Sequence, residues 1–342
     1  MSPERRAPIR IGLMRLTDIA PIVLAAEAGL FAAEGLDVAL QVEPSWANLA
    51  DKLAYGLLDA AIMLPPLALA MGLGLREPAA RVIVPMGISL CGNAITLSEA
   101  LAAPLLAGGR RTPRETAQAL ARLLKDRAAP NFAVVHAWST HDLLFRAWLA
   151  EGGIDPTRDV EWRVVPPSEM VAALAAGRID GFCAGAPWGE VAAQSGVGRT
   201  VALSSAIWPD HPEKCLAVRA DWAEAEPEAL LALLRALIRA AARAGQKEQA
   251  AALAEILAGP AYVDAPASAI AASLPGGQGE QVDRSSFLPP AATLPRLADA
   301  ERFLAEMARW RRFPPGAEKQ RVAAEIYRPD LYLDAARTLD LG

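Results

Sequence analysis

Cysteine and histidine are scarce in this chain of 342 residues, with three of each. Cys91, Cys183 and Cys215 are odd in number and have no CxxC spacing, so no disulfide framework is expected. No Cys/His pair has the spacing of a zinc site. Each thiol reads best as a small buried apolar group. A surplus of basic charge is also missing. The 34 Lys and Arg against 39 Asp and Glu leave a formal net charge of −5, with the two signs interspersed, which speaks against a nucleic-acid surface. The longest apolar run, Ala60 to Leu75, is broken by Pro65-Pro66 and two glycines, too short for a membrane span. It reads as a buried strand followed by a helix. Met-Ser-Pro-Glu-Arg-Arg-Ala-Pro runs straight into Ile9-Arg10-Ile11-Gly12-Leu13 with no apolar segment or cleavage signal. A cytoplasmic chain is the expectation. Nor is there a P-loop, a GxGxxG after a strand or a Ser/His/Asp order. His141 beside Asp142 makes no catalytic pair, because adjacent helix residues do not face each other. We therefore expect no enzyme, no cofactor and no metal.

What is present is apolar bulk. Apolar residues make up 53% of the chain, enough for a full core in one large domain or two lobes. Short β-branched strands alternate with Ala/Leu-rich helices, the α/β pattern. The strand candidates are Ile9–Leu13, Val38–Val42, Ala60–Met63, Arg81–Met86 and Ala94–Leu97. A second set follows at Ala133–Val135, Val160–Val165, Ile179–Cys183 and Thr200–Leu203, then Leu216–Arg219. A helix over Ile19–Gly29 has Thr17-Asp18 as its candidate cap. Thr112, Pro113 and Glu115 spell a capping box. Pro227 opens a helix toward Gly245 with Leu230, Leu233, Leu234 and Leu237 on one face. Gly276 to Pro290 reads as an irregular loop. From Pro295 a final amphipathic helix is predicted, with Leu297, Phe303, Leu304 and Met307 inward. The two strand sets predict two α/β lobes: residues 1–97 and 211–342 form the first, discontinuous lobe, and 98–210 the second. Two crossings leave a cleft between them, the usual place for a ligand.

One loop concentrates the chemistry. Trp208-Pro209-Asp210-His211-Pro212-Glu213-Lys214 carries an aromatic wall, an imidazole and a lysine, stiffened by prolines. His141 lies in another loop that a two-lobed fold brings nearby. Ser139, Thr140 and His141 follow a strand and lead into a helix, so their N–H groups favour an anion. The grouping suits a small anion, which needs several N–H or O–H donors, about one positive charge and no competing carboxylate. The Lys214 ammonium is worth about 1–4 kcal/mol at roughly 4 Å, depending on screening. Taken singly, Lys214 reads first as a solvated surface lysine and Trp46 as core, and Asn93 has the reading of a turn residue before a strand. His136 reads as structural.

An ordered set of motifs carries a resemblance. It begins with Leu16-Thr17-Asp18-Ile19-Ala20-Pro21, Glu27-Ala28-Gly29-Leu30-Phe31 and Glu34-Gly35-Leu36-Asp37-Val38. Ser45-Trp46, Gly92-Asn93-Ala94-Ile95 and Ser139-Thr140-His141-Asp142-Leu143 follow. Arg146-Ala147-Trp148-Leu149-Ala150, Gly153-Ile154-Asp155-Pro156, Val164-Val165-Pro166-Pro167 and Asp180-Gly181-Phe182-Cys183 continue it. Pro187-Trp188, the Trp208–Lys214 loop and Arg219-Ala220-Asp221-Trp222 complete it. Together they resemble the nitrate/bicarbonate-binding branch of the type II periplasmic-binding-protein family, over nearly the whole chain. The resemblance implies that family's fold, two α/β lobes around a ligand cleft.

The resemblance also implies roles. Lys214 stands where nitrate binders carry a contacting lysine, Trp46 where a tryptophan donates its indole N–H, and Asn93 where a glutamine or asparagine stands. Ser139, Thr140 and His141 join them as ligand residues, with Pro187, Trp188, Trp208 and His211 as cleft walls. Two departures stand out: Trp138-Ser139 replaces a usual Gly-Gly, and Ala186 stands where transport-type relatives carry glutamate. The chain is most similar to the subgroup of cytoplasmic nitrate/nitrite sensors called NasS, which pair with the RNA-binding antiterminator NasT. That implies nitrate or nitrite as ligand and release of a NasT-type antiterminator on binding, by analogy alone. The alternative is the substrate-binding protein of a nitrate/bicarbonate-type ABC transporter. An enzyme on the same fold, such as a pyrimidine-precursor synthase of thiamine biosynthesis, needs a cysteine cluster that this chain lacks.

Overall fold

The computed structural model describes residues 7–109, 111–279, 282–310 and 319–339. Two five-stranded sheets share one plan. In the first, the order is β2 (Val38–Val42), β1 (Ile9–Leu13), β3 (Ala60–Met63), β10 (Pro212–Arg219) and β4 (Val82–Leu90). In the second it is β7 (Glu161–Val164), β6 (Asn131–Val134), β8 (Gly181–Gly185), β5 (Asn93–Ser98) and β9 (Gly198–Leu203). In each sheet three strands pair in parallel, and the strand arriving from the other lobe runs antiparallel to its neighbours. This is the two-lobe periplasmic-binding-protein architecture expected from the sequence.

The first crossing falls earlier than the predicted boundary after Leu97. The strand Asn93–Ser98 pairs with β8 and β9, so the chain leaves the first sheet at Cys91-Gly92. Both residues have positive φ, 57° and 88°. A Cβ at position 92 would also strike the Ser285 hydroxyl, so only glycine passes there without strain. The return crossing runs from Trp208 to His211, and the two are tied by Cys91 N–H donating to His211 C=O at 3.0 Å.

Local signals explain most helices. Thr112 Oγ1 accepts from the Glu115 N–H, and the Glu115 carboxylate accepts from the Thr112 N–H, with Pro113 at the first helical position of Pro113–Leu124. Leu230, Leu233, Leu234 and Leu237 are buried on the helix Pro227–Ala244. The helix Leu297–Arg309 buries Phe303, Leu304 and Met307 but leaves Leu297 38% exposed. It is not the last, since Lys319–Ile326 and Pro329–Ala336 follow it. Ala60–Leu75 resolves into β3 and the helix Pro65–Gly72. Among the described residues no helix is long and apolar enough to cross a membrane.

Candidate functional site

Lys214 lies at the junction of the lobes, fully buried, and its partners are carboxylates. Its Nζ is 2.9 Å from Asp18 Oδ2 and 2.6 Å from Glu213 Oε1. The ammonium also sits 5.7 Å from the centroid of the Trp46 ring. Two irregularities in the β10–β4 ladder, between Pro212 and Lys214 and between Lys214 and Cys215, re-aim this stretch of strand. In a regular strand neighbours point to opposite faces. The bulge instead lets Glu213 and Lys214 meet.

The lobes bring further polar groups to the same place. Trp46 opens the helix Trp46–Ala54, where Ser45 Oγ accepts from Asn48 N–H. Glu43 braces that first turn through Asn48 Nδ2 at 2.8 Å and Lys52 Nζ at 2.7 Å. From the second lobe, Thr140 and His141 begin the helix Thr140–Glu151. His141 Nε2 lies 3.4 Å from Glu213 Oε1. Asn93 Nδ2 donates to Glu213 Oε2 at 2.5 Å. A Cβ on Gly185 would crowd Leu16, Asn93 and Asp18 at 3.2, 3.4 and 3.6 Å, so the absent side chain lets the two lobes meet.

Buried polar atoms without a hydrogen-bond partner gather here. Of ten such atoms among the described residues, six are on Asp18, Trp46, Asn93, Thr140 and His141. A buried polar atom left unpaired costs about 1–3 kcal/mol, so their concentration in one spot makes it the candidate site for a polar ligand. The donors among them are the Trp46 indole N–H, the Thr140 hydroxyl and one imidazole N–H. Burial, reinforced by Lys214 and His211, holds the His141 pKa well below its usual value. Burial also drops His211 to about 4, so both rings are neutral and each keeps one N–H.

The carboxylates are the correction. A pocket free of competing carboxylate was expected, yet Asp18 and Glu213 both lie on the ammonium. Burial raises Glu213 to about 7 against the pull of Lys214, with Asp18 adding to the rise. Burial raises Asp18 as well, outweighing Lys214. Burial works against the Lys214 charge, but the two carboxylates together overcome it and leave its pKa raised. One ammonium cannot keep two buried acids fully ionised.

The other expected residues divide. Trp46, Asn93, His141 and Lys214 converge around Glu213 and the ammonium, and Thr140 precedes His141 at the start of its helix. The Asn93 amide gives one of its two N–H groups to Glu213. Ser139 Oγ accepts from Asp142 N–H at 3.0 Å and donates to His136 C=O at 2.7 Å, so its side chain is a helix cap. Trp208 is no cleft wall. It packs on Phe303 at 5.3 Å under the Arg302 guanidinium, 3.9 Å from its ring. His211 Nε2 pairs with Ser204 Oγ at 2.7 Å. Trp188 donates its indole N–H to Arg15 C=O at 2.9 Å, and Thr17 N–H reaches Ala186 C=O at 2.9 Å. Both bonds bridge the lobes. Pro187 follows at that seam, lining a recess with Gly92 and Ala94. All three cysteines are free and buried, and burial pushes the Cys91 thiol up to about 12. They are inert packing groups.

Asp18 and Glu213 were the residues missed. Asp18 was read as a helix cap. Thr17–Ile19 instead form a 3₁₀ turn with no side-chain cap bond.

Comparisons with known proteins give the family and the fold. A family model described as the NMT1-like family matches residues 2–258. The bicarbonate transport ATP-binding protein CmpC of Synechocystis sp. is 36% identical over 340 residues, covering 97% of this chain and 50% of that protein. The nitrate/nitrite binding protein NrtA of Synechococcus elongatus is 32% identical over 361 residues, covering 99% and 79%. The chain spans about half the length of the transport ATP-binding relatives it matches. The crystal structure of the periplasmic nitrate-binding protein NrtA from Synechocystis superposes with a TM-score of 0.90 at 27% identity, covering 98% of this chain and 89% of that one.

Proposed function

The chain belongs to the NMT1-like family, and on that footing we propose that it is a nitrate/nitrite-binding protein that acts as a sensor. The observation that carries the ligand is the set of unpaired buried donors on Trp46, Thr140 and His141, with the Trp46 ring beside the Lys214 ammonium and His141 beside its partner Glu213. A planar monoanion with acceptors only fits three neutral donors and one cation. Binding shifts the open and closed forms of the lobes only by its different affinity for each. Because groups from both lobes reach the same point, the closed form is the one the anion favours. The altered outer surface is then what a NasT-type antiterminator reads, and the liganded protein lets that partner go. The replacement of a transport-type glutamate by Ala186 and the three free thiols support the sensor over a periplasmic component of an importer. Bicarbonate remains the competing ligand of the same site.

Isothermal titration with nitrate, nitrite and bicarbonate tests the ligand, with micromolar binding of nitrate or nitrite expected. No heat with any of the three removes the proposal. A pull-down with the antiterminator, with and without nitrate, tests the sensor role. The transport reading has its own support in the identity to transport ATP-binding proteins over half their length. It gains if the liganded protein captures a permease or ATPase partner instead.

A further inference from the structure

We propose that the site takes its anion together with one proton, lodged on the Asp18–Glu213 carboxylate pair, so that these two residues set the charge state in which the guest is accepted. This rests on reading the site as an oxyanion pocket and adds to it what the pocket demands of solution pH.

The argument starts from the charges facing Glu213. Its own strand supplies Lys214 and the Cys215 thiol, with His211 just before it, Nδ1 3.6 Å away. Asp18 faces it from the turn after β1, His141 from the helix Thr140–Glu151, Cys183 from β8 and the neutral Asn93 from β5. Burial holds the thiols protonated and the imidazoles neutral. One ammonium and two carboxylates therefore decide the sum, which is −1 when both acids are ionised. A monoanion would raise this to −2 among side chains of 0–5% exposure, where charge is poorly screened. One proton on the pair removes that excess. It also turns a carboxylate, which only accepts, into a group with an O–H to donate. That suits a guest that offers only acceptors. Glu213 already titrates at about 7, and a bound anion beside it moves it higher. Above neutrality the proton must then come from solvent, and affinity falls as pH rises. Below neutrality the pair already holds it, and affinity levels off.

Nitrate carries no proton anywhere in the working range, so any proton taken up is the protein's. The test is calorimetric titration of the full chain with sodium nitrate at pH 8 in two amine buffers of different ionisation enthalpy, repeated from pH 6 to 9. The expected result is a heat that shifts with the buffer by close to one proton per nitrate, and a Kd that rises up to about tenfold per pH unit above neutrality. Nitrate binding with buffer-independent heat and a flat Kd overturns the proposal and leaves the oxyanion reading standing. Absence of binding at every pH overturns both. Glu213→Gln sharpens it: the variant should bind nitrate with little proton uptake and little pH dependence. An unchanged proton count in that variant places the proton elsewhere and overturns the assignment. If the variant does not fold, the wild-type buffer series decides alone.

Discussion

Strands β1 and β6, which hold matching places in the two sheets, each lead into a turn at the interface, and the two turns differ in kind. After β1 comes Thr17–Ile19, which brings the Asp18 carboxylate, and β10, beyond β3 in the same sheet, brings Glu213 and Lys214. After β6 come Ser139, Thr140 and His141, and β5, beyond β8 in the same sheet, brings Asn93, all of them neutral. The first lobe supplies charge and the second supplies uncharged polar groups. The second lobe does own a buried ion pair, in which Arg146 Nε spans both oxygens of Asp142 at 3.0 Å, and its Nη1 reaches Pro156 C=O. Two lobes with the same strand order have thus divided the work. On the proposed reading, neither half holds a small anion alone, and closure assembles the pocket.

Removing the charge of the first lobe should do the most damage. Lys214→Met should weaken nitrate binding about a hundredfold or more, since a hydrogen bond to an ion is worth roughly 1.5–3 kcal/mol before its Coulomb share. Titration of the variant checks it, and unchanged affinity would put the site elsewhere.

The second effect is on stability against pH. A buried His with a lowered pKa stabilises above 6.5, and that contribution fades as pH falls toward about 4, as for His211. A buried Glu with a raised pKa works the other way: its contribution is whole below 4.5 and fades as pH rises through about 7. In the wild type these oppose each other between pH 4.5 and 6.5. Glu213→Gln removes one side, so its stability should climb with pH there by about 3 kcal/mol more than the wild type's. Thermal melts at pH 4.5, 5.5 and 6.5 report it, and parallel curves would refute it.

Changes in neutral donors should cost less. His141→Phe should lower nitrate affinity about tenfold, a loss of ~1.5 kcal/mol, while the melting temperature holds or rises because unpaired buried nitrogens are gone. A fall in both would mean that the ring serves folding instead. Trp46→Phe keeps the ring and removes the N–H, so a loss of several-fold is expected by titration. Smallest of all, Thr112→Ala removes a cap far from the pocket. It should cost about 1 kcal/mol in a denaturant melt with no change in Kd.

The sequence made the elements legible where local chemistry decides them. The Thr112 capping box, the leucine face of Pro227–Ala244 and the apolar strand–helix pair from Ala60 all rest on neighbours within a few residues. The crossing at Cys91-Gly92 was misplaced because Asn93–Ser98 has the same pattern whichever sheet receives it. Only long-range pairing decides that. Lys214 stood out as a lone cation among prolines, and Trp46 and His141 through their motifs. Glu213 stayed hidden because strand alternation turns neighbours apart, and nothing local announces a bulge. Asp18 followed an obvious alternative, capping, which the backbone declined when a buried ammonium offered more.

The most direct test is a crystal structure grown in nitrate near pH 6. The expected result is a planar anion seated between Lys214 Nζ from one lobe and His141 and Thr140 from the other, with the Trp46 N–H pointing at an anion oxygen. Nitrate bound elsewhere, with Lys214 engaged only by Asp18 and Glu213, would contradict the division of labour between the lobes.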